Sequence, residues 1–291
     1  MHVWHGKQTY GRPSRVGEPW ERILRDDNET VPANEAIDER YVVPGLSRGL
    51  ALLQLFTRER PEQKLTELAE GLGLTRSAAY RLVYTLEKEG FLARDPGTRR
   101  YRVTPRVLNL GFEYLYSRPL TSAAQPYLIR LSEQTRATAY LMVLDGWESV
   151  TLARVLPVAP LITTLQIGRR TPAHLSASGR AMLSSFTPEA LKPVYRRIVA
   201  ECRTHPVPPS FDALVESLSQ DRRRGYVLSP SIFEPSITSC AAAVLDGSGP
   251  IGALAAIAPH SFVEETGGEE AVSSLVLDAT RSLSAQLGHR A

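Results

Sequence analysis

Residues 65–90 read Leu65-Thr-Glu-Leu-Ala-Glu-Gly-Leu-Gly-Leu-Thr-Arg-Ser-Ala-Ala-Tyr-Arg-Leu-Val-Tyr-Thr-Leu-Glu-Lys-Glu-Gly90. Thr66 is expected to cap a short helix whose core face is Leu65, Leu68, Ala69 and Leu72. Gly71 and Gly73 stop that helix and permit a tight turn. Thr75 is expected to cap a second helix. Its buried stripe is Ala79, Leu82, Val83 and Leu86, at i, i+3, i+4 and i+7. The opposite face carries Ser77, Tyr80, Arg81, Tyr84 and Lys88, with Arg76 at the N-terminal end and no acid among them. This is the layout of a helix-turn-helix whose second helix reads the major groove of DNA. Thr75, Arg76, Ser77, Tyr80, Arg81, Tyr84 and Lys88 are therefore the candidate contacts on that helix.

The flanks extend the same reading. Phe91-Leu-Ala-Arg-Asp-Pro-Gly-Thr-Arg-Arg-Tyr-Arg-Val-Thr104 predicts two short strands around Asp95-Pro96-Gly97-Thr98. Arg94, Arg99, Arg100 and Arg102 lie on or beside this hairpin, as in a wing that holds phosphates. Arg99 and Arg100 are the candidate phosphate contacts. Upstream, Leu50, Ala51, Leu53 and Leu55 give a helix over 47–59 an apolar stripe. Downstream, Pro105 starts a helix over 106–116, with a break near Arg118-Pro119. Residues 44–104 are thus expected to be a winged helix-turn-helix domain and 105–118 a linker helix. Residues 1–43 hold Pro13, Gly17, Pro19 and Pro32 without periodicity and are expected to be a mobile arm.

Charge supports this division. The 291-residue chain carries 34 basic and 31 acidic side chains, a net +3. The arm has 6 basic and 8 acidic residues, 44–118 has 13 and 8, and 119–291 has 15 of each. The positive excess is confined to the block that holds the helix-turn-helix, as a surface for an anionic polymer requires. Apolar residues make up 43%, enough for a real core and too many for wholesale disorder. Two cysteines, Cys202 and Cys240, make no disulfide scaffold, so a reducing compartment is expected. The first residues lack the apolar core of a signal peptide. The most apolar stretch, 240–259, is interrupted by Asp246, Gly247 and Gly249 and is too broken to span a bilayer. A cytoplasmic protein with no membrane partner is the expectation.

Residues 119–291 mix helices and strands. Residues 121–134 fit an amphipathic helix. Thr138-Ala-Tyr-Leu-Met-Val-Leu144 and Glu148-Ser-Val-Thr-Leu-Ala-Arg-Val-Leu156 flank Asp145-Gly146, a hairpin pattern. Residues 188–202 and 211–224 read as helices. Ser239-Cys-Ala-Ala-Ala-Val-Leu245 and Ile251-Gly-Ala-Leu-Ala-Ala-Ile-Ala258 flank Asp246-Gly-Ser-Gly-Pro250 as a second hairpin, and 271–286 is a closing helix. The fold class is α+β, a mostly antiparallel sheet flanked by helices. The alanines of the second hairpin leave room for a closely packed helix or for a ligand.

Other patterns carry competing chemistry. Gly45-Leu-Ser-Arg-Gly49 matches a nucleophile elbow, with Tyr41-Val-Val as the strand before it, so a serine hydrolase is the enzyme alternative. A helix-turn-helix follows it instead of an oxyanion-hole segment, and Ser47 as a helix N-cap is favoured; no catalytic residue is assigned. No phosphate loop of the G-x-x-x-x-G-K-[ST] type occurs. Cys202-x-x-His205 lacks a second ligand pair, so no metal site is assigned, and no cofactor is expected. His2-x-x-His5 is read as coincidence, His174 and His260 as core or rim residues, and Arg222-Arg223-Arg224 as a solvated helix end. A sensor acting through protein partners is the second alternative.

On these motifs the chain resembles the IclR family of bacterial transcriptional regulators over residues 44–288. The resemblance rests on Leu65-Thr-Glu-Leu-Ala69 through Glu89-Gly-Phe-Leu92, on Gly168-Arg-Arg-Thr-Pro-Ala-His-Leu-Ser-Ala-Ser-Gly-Arg-Ala-Met-Leu183, and on Gly225-Tyr-Val227 through Phe233-Glu-Pro235 to Ser239-Cys-Ala-Ala-Ala-Val244. It implies a GAF-like effector-binding and oligomerisation domain over 119–291. It also implies homodimers or tetramers on a pseudo-palindromic double-stranded DNA operator, and small organic-acid effectors. Members that bind small keto-acids use an Asp, a Cys or Ser, and two Ser on the last strand. By position these fall on Ser229, Ser239, Ala256 and Ala258, with Cys240 entering if 229–239 slips by one. Ala177 and Ser178 match a loop that closes over the effector. The lost polar anchors and the apolar wall imply a larger effector, an aromatic acid. The segment from Tyr41 to Leu53 resembles the branch that controls aromatic catabolism. The expected function is an effector-controlled transcriptional regulator that is not an enzyme.

Overall fold

Pro44 has its φ preset for a helix start and lacks an N–H to leave unpaired. In the structure, a computed structural model, it opens helix α1, Pro44–Gln54, just after a short 3-10 turn at Glu39–Tyr41. The structure describes residues 39–116, 119–157, 165–202, 207–230, 236–265 and 267–289. The arm up to residue 38, His2, His5, Arg118, His205 and Phe233-Glu-Pro235 lie outside these. Ser47 is not the cap the sequence suggests. It sits inside α1, where its hydroxyl reaches back to the Val43 carbonyl at 3.4 Å. The Gly45–Gly49 motif therefore lies wholly within a helix, with no strand before it and no elbow.

Helix α2, Leu65–Gly71, begins at Lys64 rather than at Thr66. The reason is Glu67, whose carboxylate accepts the Lys64 N–H at 2.6 Å. Helix α3 runs over Arg76–Lys88 with Thr75 as cap, its Oγ1 accepting from the Ala78 N–H at 3.3 Å. Ala79 and Val83 are fully buried, and Leu82 and Leu86 pack partly buried around Leu52, Leu68, Leu92 and Tyr101. Strands β1 (Glu62–Gln63), β2 (Leu92–Arg94) and β3 (Tyr101–Val103) form an antiparallel sheet in the order β1-β3-β2. The hairpin was legible, but the two residues of β1 are too few for an alternation signal. Gln63 fixes β1 by burying its amide, which donates to the Leu55 carbonyl at 2.6 Å.

After a 3-10 turn at Pro105–Val107 come α4, Leu108–Tyr116, and α5, Pro119–Thr135. The remaining elements are β4 (Thr138–Asp145), β5 (Glu148–Val155), β6 (Arg170–Pro172), a 3-10 turn at Ala173–Leu175, α6 (Ala177–Leu183), α7 (Pro188–Glu201) and α8 (Phe211–Arg224). They end with β7 (Val227–Pro230), β8 (Ile237–Asp246), β9 (Gly249–Pro259), α9 (His260–Glu265) and α10 (Gly268–Gln286). The six strands make one antiparallel sheet in the order β6-β5-β4-β9-β8-β7, so the fold is α+β as expected.

Both faces of this sheet are covered. Leu141, Ala242, Leu254, Ala256 and Cys240 form one core with Leu128 and Leu131 of α5 and Val276 and Leu283 of α10. Tyr140, Met142, Ala241, Ala255 and Ile257 form a second core with Ala177 and Ala181 of α6. Gly179 lets the preceding 3-10 turn fold tightly onto α6, because a Cβ there would collide with the Ala173 backbone. Helix α6 is anchored outward by Arg180, whose guanidinium grips the buried Asp221 carboxylate of α8 at 2.9 Å through both Nε and Nη2.

Candidate nucleic-acid interface and effector face

Thr75, Arg76, Ser77, Tyr80, Arg81, Tyr84 and Lys88 are all exposed on α3, which carries no acid in its first turn. Tyr80 and Tyr84, one turn apart, bring their rings to 6.1 Å. Arg76, Ser77 and Tyr80 line one wall of a groove of about 760 Å³ whose other wall is the wing, with Arg94, Thr98, Arg99 and Tyr101. Lys64 and Thr66 close its end. Cations and hydroxyls thus converge on one concave surface.

The wing turn is built to present Arg99. Asp95 Oδ1 accepts the Thr98 N–H at 2.6 Å and the Thr98 hydroxyl at 2.9 Å. Those bonds hold the Asp95 carboxyl below the usual carboxylate range. Arg99 then takes a left-handed backbone at φ 57°, uncommon for a residue other than glycine. Arg100, expected to hold phosphate, does not line this groove. Its Nη1 bonds the Glu62 carbonyl at 3.1 Å and Glu67 at 3.3 Å, and it lines a different groove together with Glu59, Glu62 and Glu70. Arg94 and Lys64 take its place in the α3 groove. Alternation explains the exchange: neighbouring residues of a turn and strand point to opposite sides.

The effector candidates divide between the two faces of the large sheet. Residues paired across antiparallel strands point to the same face. One row on the α6 face reads Arg154, Tyr140, Ala255, Ala241, Val227 from β5 to β7. The next reads Thr138, Ile257, Ser239, Ser229. Ser178 of α6 meets this face as well, its hydroxyl 3.2 Å from that of Ser149. Ala177 packs in the same core. Cys240, Ala256 and Ala258 lie instead on the opposite face, in the core against α5 and α10. Burial there pushes the Cys240 thiol up to about 12. A shift of one residue along β9 places Ala255 and Ile257 at the α6 face in place of Ala256 and Ala258.

Residues 45–96 match the IclR helix-turn-helix domain, and residues 112–285 match the bacterial transcriptional regulator IclR C-terminal domain. The chain belongs to the IclR family. The Pca regulon regulatory protein of Pseudomonas putida is 31% identical over 83% of this chain and 83% of its own length. The p-hydroxybenzoate hydroxylase transcriptional activator of Acinetobacter baylyi is 31% identical over 75% of this chain and 81% of its own. Among solved structures, a putative transcriptional regulator of Rhodococcus sp. RHA1 superposes with a TM-score of 0.69 at 27% identity, covering 84% of this chain and 98% of that one.

This IclR-family chain is a DNA-binding transcriptional regulator, and nothing in its fold supports the serine-hydrolase alternative. No group of three or more His, Cys, Asp or Glu among the described residues is placed to hold a metal ion. No helix among them is long and apolar enough to cross a membrane. The regulator's α6 was missed from sequence because its seven residues, Ala-Ser-Gly-Arg-Ala-Met-Leu, show no amphipathic stripe. Arg154 and Tyr140 were read only as hairpin residues; their opposition across the strands was the available signal.

Proposed function

We propose that this regulator binds a pseudo-palindromic operator as a homodimer or tetramer in the cytoplasm and responds to an aromatic acid. Its working parts are the winged helix-turn-helix of 44–104, the 105–118 connection and the effector domain of 119–291. Arg76, Ser77, Tyr80 and Arg81 contact bases or their neighbourhood. Thr75, Tyr84 and Lys88 flank them, and Arg99, Arg94 and Lys64 hold phosphates. The α6 face of the large sheet receives the effector, with Ala177, Ser178, Ser229 and Ser239 from the sequence reading joined by Ala241, Ala255 and Ile257.

The observation that carries the aromatic reading is the face itself. Between sheet and α6 it is lined by small apolar side chains, Ala241 and Ala255 against Ala177 and Ala181, with the hydroxyls of Ser178 and Ser239 on the same face. Two relatives point the same way, the regulators of the Pca regulon and of p-hydroxybenzoate hydroxylase. A Microbacterium hydrocarbonoxydans homologue of the same fold was solved with 4-hydroxybenzoate. Binding to the DNA upstream of this protein's own coding sequence, read by footprinting and mobility shift, tests the proposal. A protected palindromic site whose occupancy changes with 4-hydroxybenzoate or protocatechuate is the expected outcome. Occupancy indifferent to every aromatic acid and responsive to glyoxylate would refute it.

A further inference from the structure

Arg154 is an arginine without a counter-ion in a half-buried place. The other half-buried arginines among the described residues find carboxylates, Arg180 with Asp221 and Arg100 with Glu67. Arg154 has none among the described residues. Its Nη1 donates to the backbone carbonyl of Leu165 at 3.0 Å, and that neutral acceptor leaves its charge uncompensated. A guanidinium offers five N–H donors in a planar fork that suits a carboxylate. Taking such a charge out of water costs free energy unless an anion repays it.

Position turns this into a binding statement. Arg154 heads the row that continues through Tyr140, Ala255 and Ala241 on the α6 face. Tyr140 stands directly across from it, and its hydroxyl reaches the same Leu165 carbonyl at 3.4 Å. The row thus runs from a cation and a phenol to two methyl groups that pack beneath Ala177 and Ala181 of α6. Ser239 lies one row along and two strand spacings beyond Tyr140, a lateral distance of roughly 10 Å.

We infer that Arg154 is the carboxylate anchor of the effector face, and that the effector is an aromatic monoacid held carboxylate-first beside Tyr140. This rests on the aromatic-acid reading above and adds to it the end of the ligand that is recognised, and by which side chain. Charge recognition at that end disfavours neutral aromatics.

Titration calorimetry on the full-length protein tests it, with 4-hydroxybenzoate, protocatechuate and the uncharged 4-hydroxybenzamide as probes. Wild type is expected to bind the acids at least ~10-fold more tightly than the amide, as a charge-assisted bidentate pair implies. Arg154→Gln is expected to weaken the acids ~10–100-fold while moving the amide by less than ~3-fold. Arg154→Lys, which keeps the charge and loses the fork, should fall between. Equal weakening of acids and amide, or unchanged acid affinity in Arg154→Gln, overturns the anchor assignment alone. Failure of wild type to bind any of the three overturns the aromatic-acid reading and the anchor with it. If Arg154→Gln does not fold by circular dichroism, Arg154→Lys and the acid-to-amide ratio of wild type decide.

Discussion

His174 is the residue whose surroundings depart furthest from its chemistry. It is buried beside the start of α6, and neither ring nitrogen has a partner. Burial lowers its pKa from 6.5 to about 4. The unfolded chain therefore takes up a proton below about pH 6.5 that the folded chain refuses until about pH 4. Stability is unaffected by this group above that window and falls as pH drops through it. Thermal melting at pH 7 and pH 5 should show a larger loss for wild type than for His174→Gln; equal losses would contradict the burial argument. The sequence reading of His174 as a core residue agrees with its burial. At the same scale, Thr66 and Ser47 show where such reading stops. Both are good caps by type, but Glu67 captures the Lys64 N–H and Pro44 starts its helix three residues before Ser47. Which residue caps is decided by competition among neighbours.

At the scale of elements, the helix-turn-helix was legible nearly residue by residue because α3 has a clean contrast between Ala79 and Val83 on one side and Arg81 and Tyr84 on the other. The wing was legible as a hairpin, yet the outward directions of Arg99 and Arg100 depend on the left-handed backbone at 99. Their roles should separate in salt titrations of operator binding. Arg99→Ala should lower the slope of log affinity against log salt by about one, as the loss of one phosphate contact does. Arg100→Ala should leave the slope unchanged, since that side chain is spent on Glu67.

The last two strands of the large sheet were legible as strands and illegible as faces. Alternation assigns a face only when one side is polar. Here both sides are buried, and Ala241-Ala-Ala243 and Ala253-Leu-Ala-Ala-Ile-Ala258 offer apolar residues at every position. That Ala255 and Ile257 face α6 while Ala256 and Ala258 face α5 and α10 is invisible in the sequence for lack of that contrast. The two faces should respond differently to added volume. Ala256→Leu, packed against α5 and α10, should cost about 1–3 kcal/mol in urea unfolding. Ala255→Leu, packed against α6, should cost a similar amount and in addition abolish the calorimetric heat of aromatic-acid binding, which Ala256→Leu should leave in place. The reverse pattern would exchange the faces.

For the whole molecule, a net charge of +3 conceals its distribution, and a reader of the total alone would miss a nucleic-acid partner. The coupling between ends is fixed by thermodynamics whatever route it takes through 105–118. If an effector changes operator affinity by some factor, the operator changes effector affinity by the same factor. Calorimetry of effector binding with and without operator DNA should return the factor measured by mobility shift, and a mismatch would show that the two ligands do not share one equilibrium.

The methyl-lined rows of the α6 face also bear on how such a regulator changes over time. Ala241 and Ala255 are fully buried under α6, so a larger residue there has to be absorbed by that short helix, while the α5–α10 face keeps the sheet together. If the effector lies between α6 and the sheet, as proposed, response to a new inducer is reachable by substitutions along this one seam. The same property makes this sheet a tractable starting point for a laboratory-selected biosensor, with 241, 255 and 257 as the positions to randomise.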